Sequence, residues 1–231
     1  MRFDIITIFP DVFEPYFNQG VIGRAQKRKL AKIRCHNLRD WTSDRRKTVD
    51  DKPYGGGWGM VLLVEPILKA ITAVKKKYRP AGKQSKRKII LLSAKGKKFD
   101  QKMARRWSKL DQLIIVSGRY EGIDERVAKY IADEEISIGD YILTGGEIPA
   151  MIIVDAVARL IPGVIKKESL KEESFNELKI ENCKLKISHE YPHYTRPEKI
   201  VIKGKTRRVP PVLLSGDHKE IENWRQKHSG K

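Results

Sequence analysis

The sequence predicts an α/β protein whose strands run parallel. Two observations carry this. Short apolar runs of strand length alternate with stretches whose apolar residues fall at helical spacing, the pattern of a parallel sheet covered by helices. Three of the runs, "RKIILLS", "DQLIIVSG" and "EISIGDYIL", also lead into loops of small residues and glycine. In open parallel sheets ligands sit beyond the carboxyl ends of strands. The chain has 231 residues and is 40% hydrophobic, enough for one large or two small domains with a real core.

Taken in order, "FDIITIFP" (3–10) reads as a buried strand and "DVFEPYF" as a short helix after it. Residues 32–41, "KIRCHNLRDW", are a second strand candidate. Residues 65–78, "EPILKAITAVKKKY", form a helix with a basic end. Strands follow at 87–93 and 111–118, with a Lys- and Arg-rich helix between them and "IDERVAKYI" as a helix after the second. "EISIGDYIL" (135–143) returns as a strand. The helix from about Ile148 to Ile161 is apolar on nearly every face, with Asp155 and Arg159 as exceptions four residues apart. Such a helix must be covered all round. Either a second copy of the chain supplies part of that cover or the helix is buried within its own chain. After Pro162-Gly163 the stretch to His189-Glu190 is charged and weakly periodic, which suggests a linker. The tail "RRVPPVLLSGDHKEIENWRQKH" then reads as a turn and a terminal helix. Asp217 serves there as N-cap and Glu220 follows three residues on.

Charge points to the partner. Lys and Arg number 48 against 29 Asp and Glu, a net charge of +19. A pI near 9.9 on a folded chain favours a polyanion, nucleic acid before membrane. Cys35 and Cys183 form no spaced cluster, so a reducing cytoplasm is expected, with no disulfide framework and no zinc site. The first nine residues contain Asp4 and lack a signal peptide's basic start and long apolar core. No apolar run has the length of a membrane span.

Two local matches mislead. "HEYPH" (189–193) fits the zinc-protease spacing, but Pro192 sits inside it and breaks the helix that would bring both His together. "GKT" (204–206) lacks the glycine of a phosphate loop, because Lys199 stands five residues before Gly204. More informative are the loops "LLSAKG" (91–96), "VSGRYEGIDER" (116–126) and "SIGDYILTGGEIP" (137–149). Glycines there let main-chain groups approach a flat ligand closely, and three such loops after three strands point to one shared pocket. "VDDKPYGGGWGM" (49–60) is a further glycine loop, carrying Asp50, Tyr54 and Trp58 beside Arg45, Arg46 and Lys47. Aromatic residues in such a loop can stack on bases, and the cations suit phosphates.

The segments "RKTVDDKPYGGGWGMVLLVEP", "SGRYEGIDERV", "EISIGDYILTGGEIPAMIIVDAVARLIPGV" and "PHYTRP…VPPVLLSGDHKEIENWR" resemble, in order, the bacterial tRNA (guanine-N1)-methyltransferase family, TrmD, within the SPOUT superfamily. The resemblance implies a parallel sheet whose C-terminal part is tied into a trefoil knot, followed by a small, mainly helical C-terminal domain. It implies residues 1–163 as the S-adenosylmethionine-binding domain, 164–190 as a linker and 191–231 as a shortened tRNA-binding domain. It also implies a cytoplasmic homodimer, and a tRNA guanine immediately 3′ of the anticodon as substrate, a modification that supports the reading frame. Magnesium is a further requirement by resemblance only, and no metal ligands are assigned. Cofactor contacts fall on Leu92, Ser93, Gly118, Tyr120, Glu121, Gly122, Ser137, Ile138, Gly139, Tyr141, Leu143, Gly145, Gly146 and Pro149. Substrate contacts fall on Arg24, Asp50, Tyr54, Gly56, Gly57, His193, Arg196, Ser215, Gly216 and His218.

Neutral guanine carries a proton on N1, so methylation there needs a base, and a cation for the charge growing on O6. The resemblance gives Arg159 as the cation, whose other role is an ion pair with Asp155. The family's linker Asp is replaced: "EESF" places Glu173 there, with Glu172 as the alternative base. Glu has the same chemistry and a similar pKa but one more methylene. A SPOUT protein that binds tRNA without turnover, or one acting on another RNA guanine, are the competing readings.

Overall fold

The structure, a computed structural model, describes residues 1–78, 85–171, 175, 177–179, 185–187 and 191–229. It divides into two compact units, Met1–Ile165 and Lys166–Lys231.

The first unit is a parallel sheet with helices on both faces. Its strands are β1 (Arg2–Thr7), β2 (Lys32–Asn37), β5 (Arg87–Lys98), β6 (Gln112–Val116) and β7 (Glu134–Ser137). A two-residue pair, β3 (Asp50–Asp51) with β4 (Val61–Leu62), stands apart and is antiparallel. The sheet order is β2-β1-β6-β5-β7, and every pairing is parallel. The helices are α1 (Glu14–Phe17), α2 (Gly20–Lys27), α3 (Val64–Lys77), α4 (Gln101–Trp107), α5 (Glu125–Tyr130) and α6 (Glu147–Ala158). Side chains of a strand alternate between faces. Phe3, Ile5, Ile90, Leu92, Leu113 and Ile115 therefore pack on one side with α2, α4 and α6. Ile6, Ile89, Leu91, Ile114 and Val116 pack on the other with α3 and α5. Both faces are covered, which is why these strands read as unbroken apolar runs.

Three boundaries differ from expectation. The second strand candidate stops at Asn37, and Leu38–Trp41 form a 3-10 turn whose Arg39 N–H donates to the Asn37 side chain. Strand β5 runs on to Lys98, with residues 93–96 looped out between two positions that both pair with Ile136. Gly96 allows this, since a Cβ there would lie 2.5 Å from the Ile136 nitrogen. The strand expected over 135–143 ends at Ser137. The Ser137 hydroxyl donates to Gly139 O (3.0 Å) and accepts from Gly139 N–H (3.2 Å), and Gly139 at φ +154 turns the chain out of the sheet.

The second unit holds α7 (Lys167–Lys171), β8 (Glu177–Lys179), β9 (Leu185–Ile187), β10 (Lys199–Ile202), β11 (Lys205–Arg208) and α8 (His218–His228). Strands β8 with β9 and β10 with β11 are antiparallel pairs, so the described part of this unit holds strands beside its helices. "KIVI" supplies β-branched residues, and Lys203 and Gly204, both at positive φ, form the two-residue hairpin turn. Gly204 of "GKT" is thus a turn glycine. Helix α8 starts as expected: the Asp217 carboxylate accepts from Lys219 N–H (2.9 Å) and Glu220 N–H (3.1 Å).

Candidate active site

A cavity of about 550 Å³ opens at the carboxyl ends of β5, β6 and β7. Its wall is made of the loops that follow these strands. Of the fourteen residues expected to hold the cofactor, thirteen line it: Leu92, Ser93, Gly118, Tyr120, Glu121, Gly122, Ser137, Ile138, Tyr141, Leu143, Gly145, Gly146 and Pro149. Gly139 is not among the lining residues; it makes the turn that brings Tyr141 back over the site. Apolar Ile123, Ile138, Leu143 and Pro149 give flat surface, while Glu121, Glu125 and Glu135 set negative charge around it. Lys95 bonds Glu125 (2.6 Å) and lies 3.9 Å from Glu135, and its pKa is raised chiefly by the Glu125 bond.

The floor explains the glycine pair. Gly146 has φ −84, a value any residue adopts, so its reason is space. A Cβ would lie 2.7 Å from Cα of Ser117 and 2.8 Å from N of Gly118. Gly146 N–H also donates to Gly118 O at 2.8 Å, so the start of α6 is pressed backbone-to-backbone against the end of β6. Gly145 instead faces a side chain: its Cβ would lie 2.2 Å from Nε of Arg119. Arg119 Nε donates to Glu147 Oε2 (2.9 Å), its Nη1 to Thr144 O (3.1 Å), and its guanidinium stacks 4.8 Å from the Phe9 ring centre. Glu147 is 4% exposed and accepts from the Thr7 hydroxyl at 2.7 Å; the same hydroxyl accepts from Phe9 N–H. Arg119 and Glu147 therefore pin β1, the 117–122 loop and the 144–146 loop together beneath the cavity.

Arg159 caps the far end of α6. With Asp155, Tyr16 and Gln19 it lines a second cavity of about 380 Å³. Asp155 also has a partner in α1: the Tyr16 hydroxyl donates to Asp155 Oδ2, and that bond pushes Tyr16 up to about 12. Helix α6 buries Ala150, Ile153, Val154, Val157 and Ala158 within its own chain but leaves Ile148 and Ile152 56% and 40% exposed. It is thus neither wholly buried nor bare.

The expected substrate residues fall in both units. Arg24 lies exposed on α2, Asp50 in β3, and Tyr54, Gly56 and Gly57 in the exposed glycine loop. His193, Arg196, Ser215, Gly216 and His218 belong to the second unit. There His193 packs 4.6 Å from the Tyr191 ring, and the Ser215 hydroxyl accepts from Asp217 N–H at 3.1 Å. Glu173, Glu172 and His189 lie outside the described residues. Among the described residues no three His, Cys, Asp or Glu side chains gather as a metal site, and no helix is long and apolar enough to cross a membrane.

Sequence reasoning missed Arg119 and the role of Glu147, although both sit inside quoted motifs; a charged residue next to a pair of glycines was the signal. It also missed a buried cluster at the other end of β1. Asp4 is fully buried and accepts from Arg2 (2.6 and 2.7 Å) and Gln112 (2.6 Å), with His36 Nε2 at 2.7 Å. Burial pushes the Asp4 carboxyl up, but the bonds from His36, Arg2 and Gln112 together outweigh it and hold it below its usual value. The signal was an acid in the middle of an apolar strand.

Residues 1–231 match a family described as tRNA (Guanine-1)-methyltransferase TrmD. The chain is similar to the tRNA (guanine-N(1)-)-methyltransferase of Carboxydothermus hydrogenoformans, 50% identical over 230 residues, covering 99% of this chain and 83% of that protein. It is 46% identical to the protein of the same name from Ruminiclostridium cellulolyticum over 231 residues, 99% of this chain and 91% of the other. The counterpart from Psychromonas ingrahamii is 48% identical over 230 residues, 99% and 87% of the two chains.

Proposed function

The chain belongs to the tRNA (Guanine-1)-methyltransferase TrmD family, and from that premise we propose that it methylates N1 of the tRNA guanine immediately 3′ of the anticodon, with S-adenosylmethionine as donor. The observation that carries the reading is the cavity at the strand ends, floored by Gly145 and Gly146 and edged by carboxylates. Its size is within the range of small-molecule sites. Its glycine wall offers main-chain groups to an adenine, and its apolar residues offer a face for the ring. Glu121 is suited to the ligand's positive charge.

When bound there, the donor supplies an electrophilic methyl group on a sulfonium. The chain's own residues do the rest. In this reading Glu173 would accept the proton that N1 loses, and Arg159 would donate to O6 as negative charge develops there. The trefoil knot belongs to this reading as what the family resemblance implies. The exposed Ile148 and Ile152 support a homodimer that covers α6. Residues 1–163 are then the cofactor-binding domain, 164–190 the linker and 191–231 a tRNA-binding domain. A chain with +19 net charge suits tRNA as partner and the cytoplasm as its place.

The test is methyl transfer from labelled S-adenosylmethionine to tRNA with or without guanine 3′ of the anticodon. Wild-type protein is expected to label only the first, and Glu173→Ala to lose at least about 100-fold in rate. Cofactor binding with no transfer to any tRNA overturns the reading in favour of a binding-only protein. Equal labelling of both tRNAs overturns the stated target.

A further inference from the structure

The segment Tyr54–Gly59 lines none of the cavity, yet it is tied to the cavity wall. Gly59 has φ +78, and a Cβ there would lie 2.4 Å from Cγ of Glu121 and 2.7 Å from its Oε1. The Glu121 side chain therefore packs directly on the Gly59 backbone. Next to that contact the two segments are joined by main-chain bonds. Glu121 N–H donates to Met60 O (3.0 Å), Leu62 N–H to Gly122 O (3.0 Å) and Asp124 N–H to Leu62 O (3.1 Å). Glu121, Gly122 and Ile123 are themselves cavity residues. A ligand that shifts the 121–123 backbone pulls on residues 60–62 through these bonds, and a ligand that moves the Glu121 side chain changes what lies against Gly59.

Beside Gly59 stands Trp58, 94% exposed, and Tyr54 is also wholly exposed. Gly55, Gly56 and Gly57 between them all have positive φ, so the two aromatics ride on backbone with no side chains of its own to pack. Arg45, Arg46, Lys47 and Lys52, all exposed, bracket the pair on the N-terminal side. Bare aromatic faces flanked by cations are the chemistry of a platform for unpaired bases.

We propose that Trp58 is a stacking platform for an unpaired nucleobase beside the target guanine, and that Glu121 couples occupancy of the cavity to this platform through Gly59. This rests on the RNA-methyltransferase reading above. Binding is then reciprocal: cofactor in the cavity sets the platform for RNA, and RNA on the platform tightens the hold on cofactor.

The test titrates a tRNA anticodon stem-loop against the full chain, with and without saturating S-adenosylhomocysteine, and reads tryptophan emission. Wild type is expected to bind the stem-loop about tenfold tighter with S-adenosylhomocysteine present. Its emission should be quenched on RNA binding. Trp58→Leu is expected to weaken stem-loop binding about tenfold and remove the quench, with unchanged affinity for S-adenosylhomocysteine. Gly59→Ala is expected to keep both single affinities measurable and lose the coupling. Stem-loop binding by Trp58→Leu equal to wild type, or no effect of S-adenosylhomocysteine on wild type, overturns the proposal. If Gly59→Ala binds neither ligand, the Trp58→Leu arm decides alone. Methyl transfer by wild type, measured alongside, separates the levels: transfer without a Trp58 effect overturns only the platform, and no transfer overturns the reading beneath it.

Discussion

Gly146→Ala isolates the close approach that the cavity depends on. The added Cβ would lie 2.7 Å from Cα of Ser117, 2.8 Å from N of Gly118 and 3.0 Å from Cβ of Ser117. Carbon atoms pack at about 3.5–4.0 Å, so the overlap is about an ångström. The colliding atoms are mostly main chain at the end of the central strand β6 and cannot swing aside. Backbone strain adds nothing, because φ is −84. Overpacking of this kind costs about 1–3 kcal/mol. Moving the start of α6 off residues 117–118 also weakens the 2.8 Å bond from Gly146 N–H to Gly118 O, worth about 1 kcal/mol. The sum is about 2–4 kcal/mol, to be read as a fall in urea midpoint at unchanged slope. Shifting one cavity wall by that distance should cost about 100-fold in kcat/KM. Gly145→Ala is the comparison. The atoms its Cβ meets first belong to the Arg119 side chain, which can yield by loosening its bond to Glu147, so stability should fall by about 1–2 kcal/mol, less than for Gly146→Ala. A Gly146→Ala variant within about 0.5 kcal/mol of wild type, or one no worse than Gly145→Ala, would refute the steric argument.

Glu147→Gln removes the charge that Arg119 bonds while keeping an acceptor for Thr7; a loss of about 1–3 kcal/mol and a raised KM for the methyl donor are expected from urea unfolding and steady-state kinetics. Asp4→Asn should destabilise at neutral pH. The folded carboxyl titrates below its unfolded value, so its contribution is complete above about pH 4 and is lost as pH falls through the lower folded pKa. The gap between wild type and Asp4→Asn in urea midpoints should then be flat from pH 5 to 7 and close at lower pH; a gap that widens there contradicts the account. Arg159→Met should lower methyl transfer at least about 100-fold with little change in donor affinity measured by calorimetry. tRNA affinity should fall steeply with salt, by about 1000-fold between 50 and 200 mM for six or more phosphate contacts, checked by filter binding.

The sheet was legible because its strands are buried on both faces, which forces apolar residues at every position of "IILL" and "LIIV" and at all but Thr7 of "IITI". The glycine loops were legible as places of close approach. What approaches was not: Gly146 meets the backbone of residues 117–118, Gly145 meets Arg119, and Gly59 meets Glu121, all contacts between segments far apart in the chain. The early end of β7 was hidden because "SIGDYIL" keeps strand-like alternation, while Ser137 and Gly139 turn the chain with two local hydrogen bonds. The Asp4 cluster was hidden for the opposite reason. An acid in a strand reads as an interruption until Arg2, His36 and Gln112, from three strands, are brought around it. The hairpin β10–β11 carried a plain signal in Lys203-Gly204, which the search for a phosphate loop passed over.

The central claim is tested most directly by the identity of the modified nucleoside. tRNA with guanine 3′ of the anticodon is incubated with the protein and S-adenosylmethionine, digested and analysed by mass spectrometry. The account predicts 1-methylguanosine, confined to that position. Methylation of another base, at another guanine atom or at another position would contradict it.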